Sequence, residues 1–420
     1  MKSFINKYYL LYLPFILFFG LIIIDSFNGY SQASADTHSP IGMLCRGMIL
    51  ASILPFLLKK TSLKYIKLFK ILFILYLLLI PLWILNHSGL NISIEIQNIF
   101  RFVYFFAVLT YFQRYVHSFT LNKCCKYITL SALILAIINI VCAITGIGNK
   151  SYGDDFGFGT KAFYADGNSF GLYMILSNCI AIWFAFYRKK LWFIAAILVS
   201  IGTLLIGSRT AMAGVAITWF LLLTYFIIKK DRIVKLSSSS KIIICMFGGS
   251  AIIYVIYKMF ELISTFDAYT IEKFTIESAF SSRDFLISLG KSVIRNFNFF
   301  ELFIGKSFSG GMKAVGSIYS SNTELKSMET DWLDMILYYG WGFGSLMIIL
   351  QILIFSKLAK PFIKRRTSLN FTLLIIGILW MGTSWMAGHA FNNTMLAPLF
   401  AILLLISQNK EQYYAEKRLK

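Results

Sequence analysis

The sequence predicts an all-α polytopic membrane protein with about twelve transmembrane helices and one long extracytoplasmic loop. Three observations carry that expectation. Of 420 residues, 58% are hydrophobic and 14% charged, and the mean hydropathy is +0.70, so polar surface is too scarce to cover a soluble core of this size. Apolar stretches of about 17–25 residues recur, each long enough to cross a bilayer as a helix. Lys and Arg cluster in the short segments between them, as topology signals facing anionic lipid do.

The first run, 10–24, has the look of a signal peptide, because Ala33-Ser34-Ala35 imitates a cleavage site. That site lies too far beyond Ile24, and more spans follow, so an uncleaved first helix is expected. Further runs cover 41–58, 68–85, 96–112, 127–145, 170–187, 191–206, 210–228 and 242–257. After a polar interval come 332–355, 371–385 and 391–406. The chain thus divides into a bundle of about nine helices at 1–257, an extracytoplasmic loop at 258–331, and C-terminal helices with a basic tail at 332–420.

Alternate connections differ in charge. One set holds Lys59-Lys60, Arg188-Lys189-Lys190 and Arg365-Arg366, whereas the opposite set, 25–40, 86–95 and 146–169, offers only Lys150 and Lys161. The alternation never breaks phase, which puts both termini in the cytoplasm and the long loop outside.

Within the loop, Ser281 or Ser282 is suited to cap a helix whose Phe285, Leu289 and Val293 share one face. Phe297, Phe299, Phe300, Leu302 and Phe303 extend that apolar surface, and Gly305 with Gly310-Gly311 is expected to end it in turns. The pattern suits an amphipathic lid lying on the bilayer.

The net charge of +21 does not point to nucleic acid, because no basic domain gathers it. The six cysteines avoid the loop and have no metal-ligand spacing, so they read as packing residues. No phosphate loop, HExxH or GxSxG occurs, and neither a metal nor another cofactor is expected.

Charges inside apolar runs are more informative. Arg46 and Arg101 interrupt such runs, where an arginine costs at least a few kcal/mol unless it faces protein or water. Arg209 sits at an outer hairpin, Lys161 and Asp166-Gly167-Asn168 lie at the outer mouth of another helix, and His389 occupies a last outer turn. Arg283 and Arg295 add cations from the loop. Snorkelling explains any one of these; together at one depth they suit a phosphate or diphosphate, which arginine binds in bidentate fashion. At the outer leaflet, that anion would be a polyprenyl-diphosphate head group. Glu329 and Asp331 precede the helix that starts near Trp332; one role is helix N-terminal charge, the other general base, which His389 also fits.

These places resemble a known family, the bacterial O-antigen polymerases and ligases. The likeness rests on Ala165-Asp166-Gly167-Asn168-Ser169-Phe170-Gly171, on Gly207-Ser208-Arg209-Thr210-Ala211, on Ser282-Arg283 followed by Phe303-Ile304-Gly305-Lys306-Ser307-Phe308, and on Glu329-Thr330-Asp331-Trp332 leading to Tyr339-Gly340-Trp341-Gly342. The resemblance covers mainly 166–344 and implies a GT-C-like glycosyltransferase that joins undecaprenyl-diphosphate-linked oligosaccharides into O-antigen or capsular polysaccharide. It implies Arg209 and Arg283 on the two diphosphates, Arg46, Arg101 and Lys161 lining the pocket, and Asp331 or Glu329 as base. Membrane lipids, a chain-length regulator and a flippase are the partners it suggests. Ligases of the family often carry a loop histidine, which is absent here, and that favours polymerase. The rival class is a flippase for the same lipid-linked sugars.

Overall fold

The structure, a computed structural model, describes residues 8–35, 41–59, 63–86, 90–151, 159–164, 166–188, 191–228, 276–319, 325–388, 390–391 and 393–408, with backbone alone at 32–35 and 276–283. Among these residues every regular element is helical, apart from one isolated antiparallel bridge between Lys150 and Thr160.

Nine helices among the described residues are long and apolar enough to cross a membrane. They are α1 (Tyr8–Ser31), α2 (Ile41–Leu58), α3 (Lys64–Leu85), α4 (Ile92–Arg114), α5 (Leu121–Thr145), α6 (Gly167–Tyr187), α8 (Arg209–Ile228), α12 (Asp331–Lys364) and α13 (Ser368–Met386). Two shorter apolar helices, α7 (Leu191–Leu204) and α14 (Ala397–Gln408), complete the bundle. Between α8 and α12 lie α9 (Ile276–Arg295), α10 (Phe299–Ile304) and α11 (Phe308–Tyr319). The chain is therefore a multi-pass, all-α membrane protein. Eleven of the twelve expected runs form helices; the twelfth, 242–257, lies outside the described residues.

Local chemistry explains many boundaries. Asn91, Thr120, Asp166 and Thr367 cap α4, α5, α6 and α13 by accepting backbone N–H bonds, and Gly146 at φ 71° closes α5. Two expectations for the loop fail. Ser281 and Ser282 lie inside α9 rather than capping it, because Ile276–Phe280 contains no glycine or proline to stop the helix starting earlier. Gly305 does end α10, but Gly310 and Gly311 lie inside α11. A Cβ on Gly311 would sit 2.6 Å from the Tyr338 ring, so the missing side chain serves close packing and not a turn.

Helix α6 is buried from Ser169 to Phe186, packed by α5, α7, α8 and α13. Small residues and polar bonds hold these contacts, as expected where lipid supplies no hydrophobic drive between helices. Gly202 of α7 backs onto Ala136 of α5, and Asn139 donates to the Gly202 carbonyl at 2.8 Å. Outside, Leu58, Leu85, Ile144, Ile228 and Ile363 are each at least 75% exposed, an apolar perimeter suited to hydrocarbon.

Helix ends fall into two groups. At one end, Tyr225 of α8 donates to the Arg366 carbonyl and stacks on Phe371, and Lys123 reaches the Leu10 carbonyl. The end of α1, the starts of α4, α6 and α12, and the chain after α13 meet at the other, as do 149–151 and 159–164, where Asn149 bonds the Gly29 and Tyr164 carbonyls. The candidate site lies there.

Candidate functional site

A cavity of about 440 Å³ opens at this second end, walled by α1, α4, α11, α12, the start of α6 and the segment after α13. The side chains facing it are mostly polar, although α11 and α12 contribute Phe308, Met312, Met335 and Met347.

Arginines enter the region from two adjacent helices. Arg46 of α2 is committed to Asp25 of α1, with Nη2 donating to both carboxylate oxygens at 2.6 Å. The pair is largely shielded from solvent, and Asp25 shows its other side to the cavity. Arg101 of α4 differs. Its guanidinium lines the cavity with no hydrogen-bond or ion-pair partner among the described residues, and its charged neighbours are Asp166 and Arg46. Asp166 is exposed in the same wall while its side chain caps α6, accepting from Asn168 N at 2.9 Å and from the Ser169 hydroxyl. Ser169 in turn accepts from Asn393. Burial, and then the Asp25 carboxylate, hold the Tyr164 phenol well above its ordinary pKa, so it remains a neutral donor in the wall.

The first half of α12 supplies the opposite wall. Asp331, Asp334, Met335, Tyr338 and Tyr339 recur at helical spacing on its cavity face. Asp331 Oδ2 accepts from the Ser384 hydroxyl at 2.6 Å and from Ala390 N and Phe391 N at 3.1 and 3.0 Å, tying the chain after α13 to the start of α12. Asp334 accepts from Met328 N and Thr330 N and so caps its own helix. At Gly340 (φ 67°, ψ 178°) the helix breaks, and the Leu337 carbonyl accepts from Lys306 N instead of from within the helix.

A polar stripe on α4 registers these parts. Glu95, Asn98 and Arg101 are spaced three residues apart and share one face. Glu95 is 1% exposed; it accepts from Tyr76 at 2.7 Å and from Ser309 N and Oγ at 2.7 and 2.8 Å, placing a carboxylate at the N-terminus of α11. Asn98 donates to both Tyr76 and Tyr339. Glu95→Ala would leave three buried donors without an acceptor, and a loss of about 3 kcal/mol or more is expected. Glu95→Gln keeps an acceptor for Ser309 and is expected to lose about half as much. Thermal unfolding in detergent measures both; equal melting of Ala and wild type would remove Glu95 as the anchor of α11.

The expected site residues are thus partly gathered. Arg101, Asp166 and Asp331 line the cavity, and Arg46 stands behind Asp25. Asn168 contributes its backbone to the α6 cap, and the Lys161 side chain lies beside Gly167 at the same mouth. Arg209 opens α8 after the Gly207-Ser208 turn, near the first turn of α6. Glu329 adopts φ 57° against Gly388, outside the cavity lining. Arg295 is exposed on α9, away from the cavity. Arg283 belongs to α9, which packs Gly290 on Met328 at this end, but its side chain lies outside the described ones, as does His389 altogether.

The pocket was expected to be cationic; among the described residues its lining also holds carboxylates. Four aspartates, Asp25, Asp166, Asp331 and Asp334, face one arginine among the described residues. Asp25, Asp334, Asn98 and Tyr164 went unrecognised in the sequence; the Glu95–Asn98–Arg101 spacing was the available signal. No group of three or more metal-ligating side chains occurs among the described residues. No protein-family model matches the chain, and no curated protein matches it.

Proposed function

We propose that this protein is a membrane glycosyltransferase that joins polyprenyl-diphosphate-linked oligosaccharide units at the cavity end of the bundle, making O-antigen or capsular polysaccharide in a bacterial inner membrane. The observation that carries the reading is Arg101, a guanidinium without a protein partner among the described residues, facing a polar cavity at the end of a membrane bundle. A guanidinium so placed offers a fork for an anion, and a diphosphate matches it. The sequence likeness described above supports the same substrate.

In this reading the acceptor hydroxyl oxygen attacks the anomeric carbon of the donor glycan. The bond from that carbon to the diphosphate oxygen breaks, and its electron pair leaves with the diphosphate. Arg101 offsets the charge that develops there, a role the sequence likeness also suggests for Arg209 and Arg283. The acceptor proton passes to a carboxylate. Asp331 Oδ2 is already filled by three donors, so the exposed Asp166 is the better candidate.

Purified protein in lipid, given synthetic polyprenyl-diphosphate units and chelator but no nucleotide sugar, is expected to yield a ladder of longer glycans. Movement of intact units between leaflets without a ladder would make it a flippase. Transfer only onto added lipid A core would make it a ligase.

A further inference from the structure

We propose that α10 is a membrane-inserted foot: its phenylalanines enter the headgroup–acyl boundary of the leaflet at the cavity end, while α9 beside it faces water. The proposal is independent of the glycosyltransferase reading and names the lipid surface on which this end of the bundle stands.

Helix α10 is amphipathic the wrong way round for water. Glu301, 6% exposed, points into protein, where it completes a capping box with Asn298 and pairs with Lys306. Phe299, Phe300 and Phe303 point outward, 74%, 64% and 51% exposed, and half-exposed Leu302 widens the patch. Among the described residues, the ring contacts of these phenylalanines are with one another. A helix bordering water does the reverse, burying its apolar face and showing its charges. Helix α9 does so here. Asp284, Ser288, Lys291 and Arg295 recur at helical spacing on its exposed face, whereas Val293 is buried and Leu289 and Ile294 pack on the core. The surrounding phase therefore changes across the 296–298 turn.

The seat of α10 identifies that second phase. Its Phe303–Ile304 backbone meets Gly340 and Gly342 of α12, and the Trp83 indole of α3 donates to the Ile304 carbonyl at 2.9 Å. From those contacts the outward faces of both helices run toward the other end of the bundle. They expose Trp341, Ile349 and Ile352 on α12, and Leu85, Leu82 and Leu78 on α3. Helix α10 thus caps the apolar perimeter suited to hydrocarbon, with Trp341 at the level where interfacial aromatic rings gather. Withdrawing Glu301 into a pair with Lys306 is what such a phase demands of a carboxylate. A second copy is the weaker occupant, because the patch on so short a helix is small beside a stable protein interface, whereas lipid needs no matching surface.

The test introduces p-benzoylphenylalanine into the full chain, one position at a time, as Phe300→p-benzoylphenylalanine and likewise at Phe299, Phe303, Ile352 and Lys291. Each protein is irradiated in nanodiscs of phosphatidylethanolamine and phosphatidylglycerol, and mass spectrometry measures the phospholipid adduct. Ile352 supplies the yield in hydrocarbon and Lys291 the yield in water. The three α10 positions are expected to give lipid adducts within about twofold of Ile352 and at least about tenfold above Lys291. Three positions are used so that loss of assembly at one leaves the others to decide. Yields at the Lys291 level would put α10 in water and overturn the proposal. Crosslinks to another part of the chain or to a second copy, in place of lipid, would overturn it as well, because the patch would then be a protein contact.

Discussion

Arg101→Ala is expected to lower kcat/KM for chain extension by about 10²- to 10³-fold while leaving insertion and melting unchanged. The separation of the two effects follows from the missing partner. No described side chain depends on Arg101 for a hydrogen bond or an ion pair, so its removal strands nothing. Truncating an unpaired guanidinium at a membrane helix relieves desolvation and does not add it. Arg46→Ala makes the opposite case. It would leave Asp25 shielded and uncompensated, at a cost of about 3–5 kcal/mol, and activity would fall because the protein does. Arg101→Lys keeps the charge without the planar fork and should fall between wild type and alanine. Reconstituted ladder formation and thermal unfolding, measured on the same preparations, decide the matter. Wild-type turnover in Arg101→Ala would remove this residue from the site; a stability loss matching that of Arg46→Ala would make it structural.

The contrast between the two arginines also shows what the sequence could and could not convey. Both interrupt apolar runs and look alike as isolated cations. Only the packing of α1 against α2 reveals that Asp25, twenty-one positions before Arg46, claims one of them. The spans themselves were legible, because length and hydropathy are local properties. So was the meeting of helix mouths at one end, since a charge alternation that never breaks phase requires it. The gathering of aspartates in the lining was not legible. Asp25 lies on α1, far in the chain from α12, and Asp331 binds Ser384, Ala390 and Phe391, groups that a linear pattern does not pair with it. Glu95 looked like the end of a short connection; its burial follows from α11 docking there, a contact spanning more than two hundred residues. Asp331 had two readings, helix N-terminal charge or base, and its bonds to Ser384, Ala390 and Phe391 give it a third task, joining α12 to the chain after α13.

Gly340→Ala and Gly305→Ala are each expected to prevent stable assembly, with losses of about 4 kcal/mol or more. The Phe303–Lys306 turn and the Tyr338–Gly342 break in α12 meet backbone to backbone. A Cβ on Gly340 would lie 2.4 Å from the Phe303 carbonyl carbon and 2.6 Å from Ile304 N; one on Gly305 would lie 2.4 Å from the Tyr338 carbonyl and Tyr339 N. Neither obstacle is a side chain that can swing aside. Both glycines also hold positive φ, 67° and 69°, which adds about 1–2 kcal/mol of backbone strain for alanine. The two costs share one joint, so the double variant should be much less destabilised than the sum of the singles: once the surfaces separate, the second methyl meets nothing new. Gly47→Ala and Gly382→Ala are the internal controls. Nothing lies within 4 Å of a Cβ at either position, and both sit inside helices, so alanine should be neutral or stabilise by up to about 1 kcal/mol. Melting temperatures of the five variants in one detergent would suffice. If Gly340→Ala melts with wild type, the joint does not hold α10 and α11 against the bundle, and the placement of Tyr338 and Tyr339 in the cavity wall needs another cause. If it collapses while the controls stand, the glycines of these two distant segments are explained by contact between backbones, and the cavity owes the face of α12 that lines it to that contact.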